Sequence, residues 1–78
     1  MIKIAQIIDK ETMGLQYLET YKQEILTQTI TSGTHDFIAE VIEFDGETPI
    51  KFIRSQEFTV NLDQMNGQTI REILQGHI

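Results

Sequence analysis

The chain has 78 residues, a formal net charge of −6 at pH 7 and no cysteine. This composition excludes a disulfide-stapled fold and a thiolate zinc site, and the acidity argues against binding to nucleic acid or to an anionic membrane, because both require Lys and Arg to offset phosphate charges. A chain of this size buries only roughly 60 to 65% of the surface that it exposes when unfolded, so we expect one domain, residues 1–78, with a small core.

Residues 1–13 contain one lysine before a short apolar stretch and then several charged residues. This pattern matches neither a secretory signal nor a membrane span, which needs roughly 20 apolar residues. The pattern and the absence of cysteine together predict a soluble protein in the cytoplasm.

The first element is predicted to be a strand of about six residues, since a β-branched cluster begins at Ile2 and ends at Asp9. A helix is predicted from Glu11 to about Leu26, with Asp9 or Thr12 as its N-cap. Four apolar residues recur there at four-residue steps, as one face of a helix requires: Met13, Tyr17, Tyr21 and Ile25. The threonine-rich stretch 27–34 should end this helix.

The next segment predicts an antiparallel hairpin of strands 37–44 and 50–54 around a two-residue Asp45-Gly46 loop. In that register Glu40 faces Lys51 and Ala39 faces Phe52, so charge meets charge and apolar meets apolar. Both faces of the hairpin are then partly apolar, and one helix can cover only one of them, so the C-terminal segment or another copy of the chain must cover the second. The uncovered face is expected to carry the residues Ile38, Ile42 and Ile53. This is the main reason to predict a homo-oligomer.

Two segments of the C-terminal third, residues 58–62 and 61–75, each allow two interpretations. The apolar alternation of residues 58–62 either continues the second hairpin strand past a bulge or forms a separate strand. Residues 61–75 form either a short final helix with a capping box at 61–64 or 69–72, which we favour, or a second hairpin around Asn66-Gly67. The predicted fold class is α+β, with the order β-α-β-β-α.

The acidic run from His35 to Glu47 contains five carboxylates and no lysine or arginine, so it carries most of the net charge. Four of these carboxylates are candidates for binding a basic surface of a partner: Asp36, Glu43, Asp45 and Glu47. Glu40 is left out because the predicted register pairs it with Lys51. The competing explanation is that acidic side chains keep exposed strands soluble and unpaired.

Catalytic motifs are absent from the sequence: it has no glycine-rich phosphate loop, no His-Glu-x-x-His and no nucleophile elbow. His35 with Asp36 and either Glu40 or Glu57 is a conceivable metal or acid–base group, but a lone histidine at a strand start is usually a solvated edge residue. We therefore predict no enzyme, no catalytic residue, no metal and no cofactor.

The leading functional hypothesis is a small acidic regulator or inhibitor, of the kind that phages and mobile elements encode, acting in the cytoplasm or in the host cytoplasm. Its partner would be a protein with a basic surface, for example one that handles nucleic acid. The alternative is a structural subunit whose role is its own assembly. Such a subunit would self-associate through the residues Ile38, Ile42, Ile53, Tyr17 and Tyr21.

Overall fold

The computed structural model describes residues 1–25 and 32–78, which form one antiparallel sheet and one short helix. The strands are β1 (Ile2–Asp9), β2 (Leu15–Leu18), β3 (Gln23–Glu24), β4 (Thr34–Asp45) and β5 (Thr48–Asn61). Their order across the sheet is β3-β2-β1-β4-β5. A 3₁₀ turn (Leu62–Gln64) and helix α1 (Ile70–Gln75) follow. The predicted α+β fold with the order β-α-β-β-α is therefore wrong, because the chain is mostly antiparallel sheet.

The predicted first helix is replaced by β2 and β3, which add to the edge of β1. Tyr17, one residue of the expected apolar stripe, is 2% exposed, whereas Met13 and Tyr21 are 64% and 63% exposed, so the stripe does not line one buried face. Helix propensity is a weak preference, lowered here by Gly14, and pairing with the edge of β1 outweighs it. Of the expected helix and the threonine-rich stretch after it, residues 26–31 lie outside the described residues.

The predicted hairpin exists as β4 and β5, but its strands are longer and its register is wrong. Among the turn residues Gly46 has a positive φ of 61° and Asp45 does not, so Asp45 stays in β4 and the loop is Gly46-Glu47. Phe44 consequently faces Pro49. Two register shifts then leave Ile50 and Ile53 as extra residues on β5, and Ala39 faces Gln56 instead of Phe52. Bulges of this kind cannot be placed from an alternating pattern alone.

The C-terminal segment follows the favoured interpretation. β5 continues to Asn61, so Phe58 and Val60 belong to the second hairpin strand, and Leu62 begins the 3₁₀ turn. Helix α1 begins at a capping box, in which the Thr69 side chain accepts from the Glu72 backbone N–H and the Glu72 carboxylate accepts from the Thr69 backbone N–H. Asn66 and Gly67 both have positive φ, but they form the turn before α1 and not a hairpin.

The core lies between one face of the sheet and α1. It consists of Ile4, Ile7, Tyr17, Phe37, Ala39, Val60, Leu62, Ile70 and Leu74, with Phe58, Met65 and Ile73 packed against it. The opposite face of the sheet, called the outer face below, is not covered by any helix among the described residues. Nor does this part of the chain contain a helix with the length and apolarity that crossing a membrane demands.

Candidate functional site

The four predicted partner-binding carboxylates do not form one surface. Glu43, Asp45 and Glu47 lie near the tip of the hairpin, whereas Asp36 lies nine residues from Asp45 along β4, roughly 30 Å away at about 3.3 Å per residue. The Asp36 carboxylate accepts a hydrogen bond of 2.6 Å from the Thr59 hydroxyl. The tip therefore holds three of the four predicted residues, and Asp36 belongs to the other end of the sheet.

The charges at the tip are also partly balanced within the chain. Glu47 forms an ion pair with Lys22, and Glu43 lies directly across from Lys51 in the register. Asp45 is exposed and has no ion-pair partner in the described part of the chain. The tip is thus less acidic than the sequence of residues 35–47 suggests.

Glu40 was predicted to pair with Lys51, but the observed register does not bring these two residues together. In the structure it lies between the neutral residues Gln6 on β1 and Ser55 on β5. Side chains alternate between the two faces along a strand. The adjacent residues Ala39 and Val41 are buried on the core side of the sheet, so Glu40 points to the outer face. The residue is half-buried, and its carboxylate makes no hydrogen bond or ion pair with the described residues.

Glu40 lies in a groove of about 330 Å³ on the outer face. Its lining side chains from Leu18, Ile42, Phe44 and Pro49 are apolar, and Gln6 and Glu40 contribute polar atoms. Ala5, Glu19, Thr20, Lys22 and Glu47 complete the lining. The groove is therefore an apolar depression that contains one carboxylate without a counter-ion, flanked by charged residues.

The cations beside the groove already have partners. Lys3 Nζ lies 2.7 Å from Glu19 Oε1 and 4.7 Å from the centre of the Phe44 ring, and Lys22 pairs with Glu47. Burial raises the pKa of the Glu19 carboxyl, but hydrogen bonds from the Lys3 ammonium and the Tyr17 hydroxyl outweigh this, so the pKa lies below its ordinary value. Among the carboxylates that line the groove, Glu40 alone lacks a cation within the described residues.

The predicted self-association residues are distributed over several environments. Ile38 and Ile42 lie half-buried on the outer face, and Ile53 is the extra residue of a bulge. Tyr17 belongs to the core, whereas Tyr21 is exposed in a turn. They do not share one surface.

Several apolar side chains near the end of the hairpin are exposed, which the sequence did not predict. Met1, Ile2, Ile50 and Phe52 are 80%, 47%, 57% and 57% exposed. They do not form one surface, because β4 lies between β1 and β5, and because Ile2 pairs with Glu43 whereas Phe52 pairs with Ile42, on the opposite face of the sheet. The predicted register placed Ile50 and Phe52 opposite residues that are buried, so it did not indicate their exposure.

His35 pairs with a residue that the sequence did not suggest. Its Nδ1 lies 3.6 Å from Oδ2 of Asp9, which is completely buried, and its Nε2 lies 3.1 Å from the Ser32 carbonyl. The other carboxylate oxygen of Asp9, Oδ1, accepts from the backbone N–H groups of Glu11 and Thr12. The Asp9 carboxylate therefore organises the turn after β1, next to the start of β4.

No group of three or more acidic or histidine side chains is placed to hold a metal ion in residues 1–25 and 32–78. Comparison of the chain with protein-family models, with curated proteins and with solved structures finds no match.

Proposed function

We propose that the chain is a non-enzymatic acidic interaction protein, a regulator or inhibitor that binds a basic surface of a partner protein through the outer face of its sheet. The observation that supports this best is the outer face itself, which is uncovered in the described structure and combines an apolar groove with the carboxylate of Glu40. An uncovered sheet face with exposed apolar surface is typical of a binding surface. The Glu40 carboxylate fits this interpretation, because burying an unpaired charge in a covered core is energetically costly.

The overall charge supports a basic partner. A chain with a net charge of −6 repels acidic surfaces and attracts basic ones, which raises the association rate at low ionic strength. Asp45 adds an exposed carboxylate at the tip of the hairpin that has no ion-pair partner among the described residues. We place this activity in the cytoplasm, or in the host cytoplasm if a phage encodes the chain, and a basic protein that handles nucleic acid is the partner class that fits.

The test is affinity capture from a bacterial lysate on the tagged chain, at low and at physiological salt. The capture is then repeated with charge-reversal variants. We expect a basic protein to be captured, with less captured as salt rises, because salt screens exposed charges. A variant with Glu40→Lys and Asp45→Lys should lose the captured protein. The control variant carries Glu11→Lys and Asp63→Lys, which make the same change of net charge at positions that do not line the groove. The control should still capture the protein. Equal capture by both variants would contradict the proposed surface.

A second candidate function is a structural subunit that assembles with copies of itself. The specific observation in its favour is that four apolar side chains near the end of the hairpin are exposed in a protein with so small a core, namely Met1, Ile2, Ile50 and Phe52. Light scattering at several concentrations tests it. Under this alternative the wild-type chain elutes as a defined oligomer, and Phe52→Asp converts it to a monomer while the groove variant Glu40→Lys does not.

A further inference from the structure

We infer that the Glu40 groove binds one cationic side chain, lysine or arginine, together with an adjacent apolar side chain of the partner. This inference rests on the proposed function, since it identifies what the same surface recognises. Three properties of the groove support it: its size, the composition of its lining, and the charge that remains uncompensated within it.

The size suits a short segment of a protein. At about 330 Å³ the groove lies at the lower limit of the roughly 300 to 1,000 Å³ that small-molecule sites occupy. It is open along the outer face and is formed by strands β1, β2 and β4 with the start of β5. A groove of this size accommodates one long side chain and a neighbour.

The lining suits a side chain that has an aliphatic stem and a charged end. Leu18, Ile42 and Phe44 offer apolar contacts along the groove, and the Glu40 carboxylate offers a charged acceptor. Lys and Arg bury their methylene groups against apolar surface while the charged end finds a polar partner. The amide oxygen of Gln6 and the hydroxyl of Ser55, on either side of Glu40 in the sheet, can accept further N–H groups of an arginine.

The charges exclude the opposite occupant. Lys3 and Lys22, the cations nearest to the groove, are held by Glu19 and Glu47, so an anionic ligand would meet Glu40 without a cation available to bind it. Binding of a second copy of the chain in the groove is also disfavoured, because two copies that each carry a net charge of −6 repel each other. The Glu40 carboxylate, which has no cation among the described residues, gains a charge-assisted hydrogen bond from a cationic partner.

The experiment uses the full chain alone and small probes. The probes are n-hexylguanidinium, n-hexylammonium and n-hexanol, and the measurement is the chemical shift of the Ile42 and Leu18 methyl groups in NMR titrations. We expect both cations to bind saturably with dissociation constants in the millimolar range, on the order of what so few atoms allow. We expect n-hexanol to bind at least about fivefold more weakly, because it lacks the charge that Glu40 would pair.

Two variants and a matched control test the role of Glu40. Glu40→Gln should weaken binding of the cations to the level of n-hexanol. Gln6→Lys should do the same by placing a lysine beside Glu40, which tests the groove without removing the carboxylate. Glu57→Gln removes a carboxylate that Lys10 already pairs, and it should leave binding unchanged. Unchanged backbone shifts outside the groove show that each variant is folded.

The inference is overturned if n-hexanol binds as tightly as the cations, or if both Glu40→Gln and Gln6→Lys bind them like the wild type. Because this assay needs no partner, its result is separate from that of the capture experiment. Selective probe binding without a captured partner would overturn the proposed function and leave the cation site. If the double variant Glu40→Lys and Asp45→Lys loses a partner that the wild type captures, but the probes do not bind selectively, the proposed function is supported and the cation site is overturned.

Discussion

Asp9 shows how a buried carboxylate organises the turn that replaces the predicted helix. It is one of the two residues predicted as a helix N-cap, with Thr12, and its Oδ1 accepts from the N–H groups of Glu11 and Thr12, at 2.9 and 3.0 Å. The Asp9 carbonyl also accepts from Met13, whose φ of 60° reverses the chain so that a helix cannot continue. The carboxylate therefore holds a closed turn.

Replacing Asp9 with alanine removes both of these hydrogen bonds. Hydrogen bonds to a charged group contribute about 1.5 to 3 kcal/mol each, but the exposed N–H groups can bond to water instead, so we expect a net loss of roughly 2 to 4 kcal/mol. A chain of this length is stable by roughly 4 to 12 kcal/mol, so the variant should lose a large share of its stability. The measurement is the urea midpoint, followed by circular dichroism, with the slope compared between variants.

Asp9→Asn is the matched control, because it keeps an oxygen for the two N–H groups. Asparagine also keeps the size and shape of this completely buried side chain. We therefore expect Asp9→Asn to lose less than half as much free energy of unfolding as Asp9→Ala. A loss below about 0.5 kcal/mol for Asp9→Ala, or equal losses for both variants, would show that these hydrogen bonds do not hold the turn.

Three further changes test the core, the turn and the charges. Phe37→Ala should cost about 3 to 5 kcal/mol in urea unfolding, because Phe37 is fully buried in the core. Gly46→Ala should cost about 1 kcal/mol since φ is +61° there, although nothing lies within 4 Å of the added Cβ, and a neutral result would contradict the observed loop. The lowered pKa of Glu19 contributes stability above pH 4.5, and this is lost as pH falls through the folded-state pKa. Acidification below pH 4.5 should therefore destabilise the Glu19→Gln variant less than it destabilises the wild type. Thermal unfolding at several pH values measures this difference.

Local patterns in the sequence predicted those elements whose formation depends on neighbouring residues. The β-branched cluster at Ile2 predicted β1, and the pair Thr69 and Glu72 predicted the start of α1, because a capping box satisfies backbone groups within one turn. The Asp-Gly pair correctly indicated a hairpin. In each case the interacting groups lie a few residues apart, so their identities are sufficient.

The tertiary structure decided the remainder, including the candidate site. Residues 15–18 form a strand because the edge of β1 provides a partner that the local pattern does not contain. The register of β4 and β5 depends on which residues bulge to keep Phe37 and Val60 in the core, and each bulge moves every later pair. That register places Lys51 opposite Glu43 and leaves Glu40 without a cation, so the residue excluded by the sequence analysis becomes the centre of the candidate site. Net charge and composition can be read from the sequence, but which carboxylate is unpaired depends on long-range pairing.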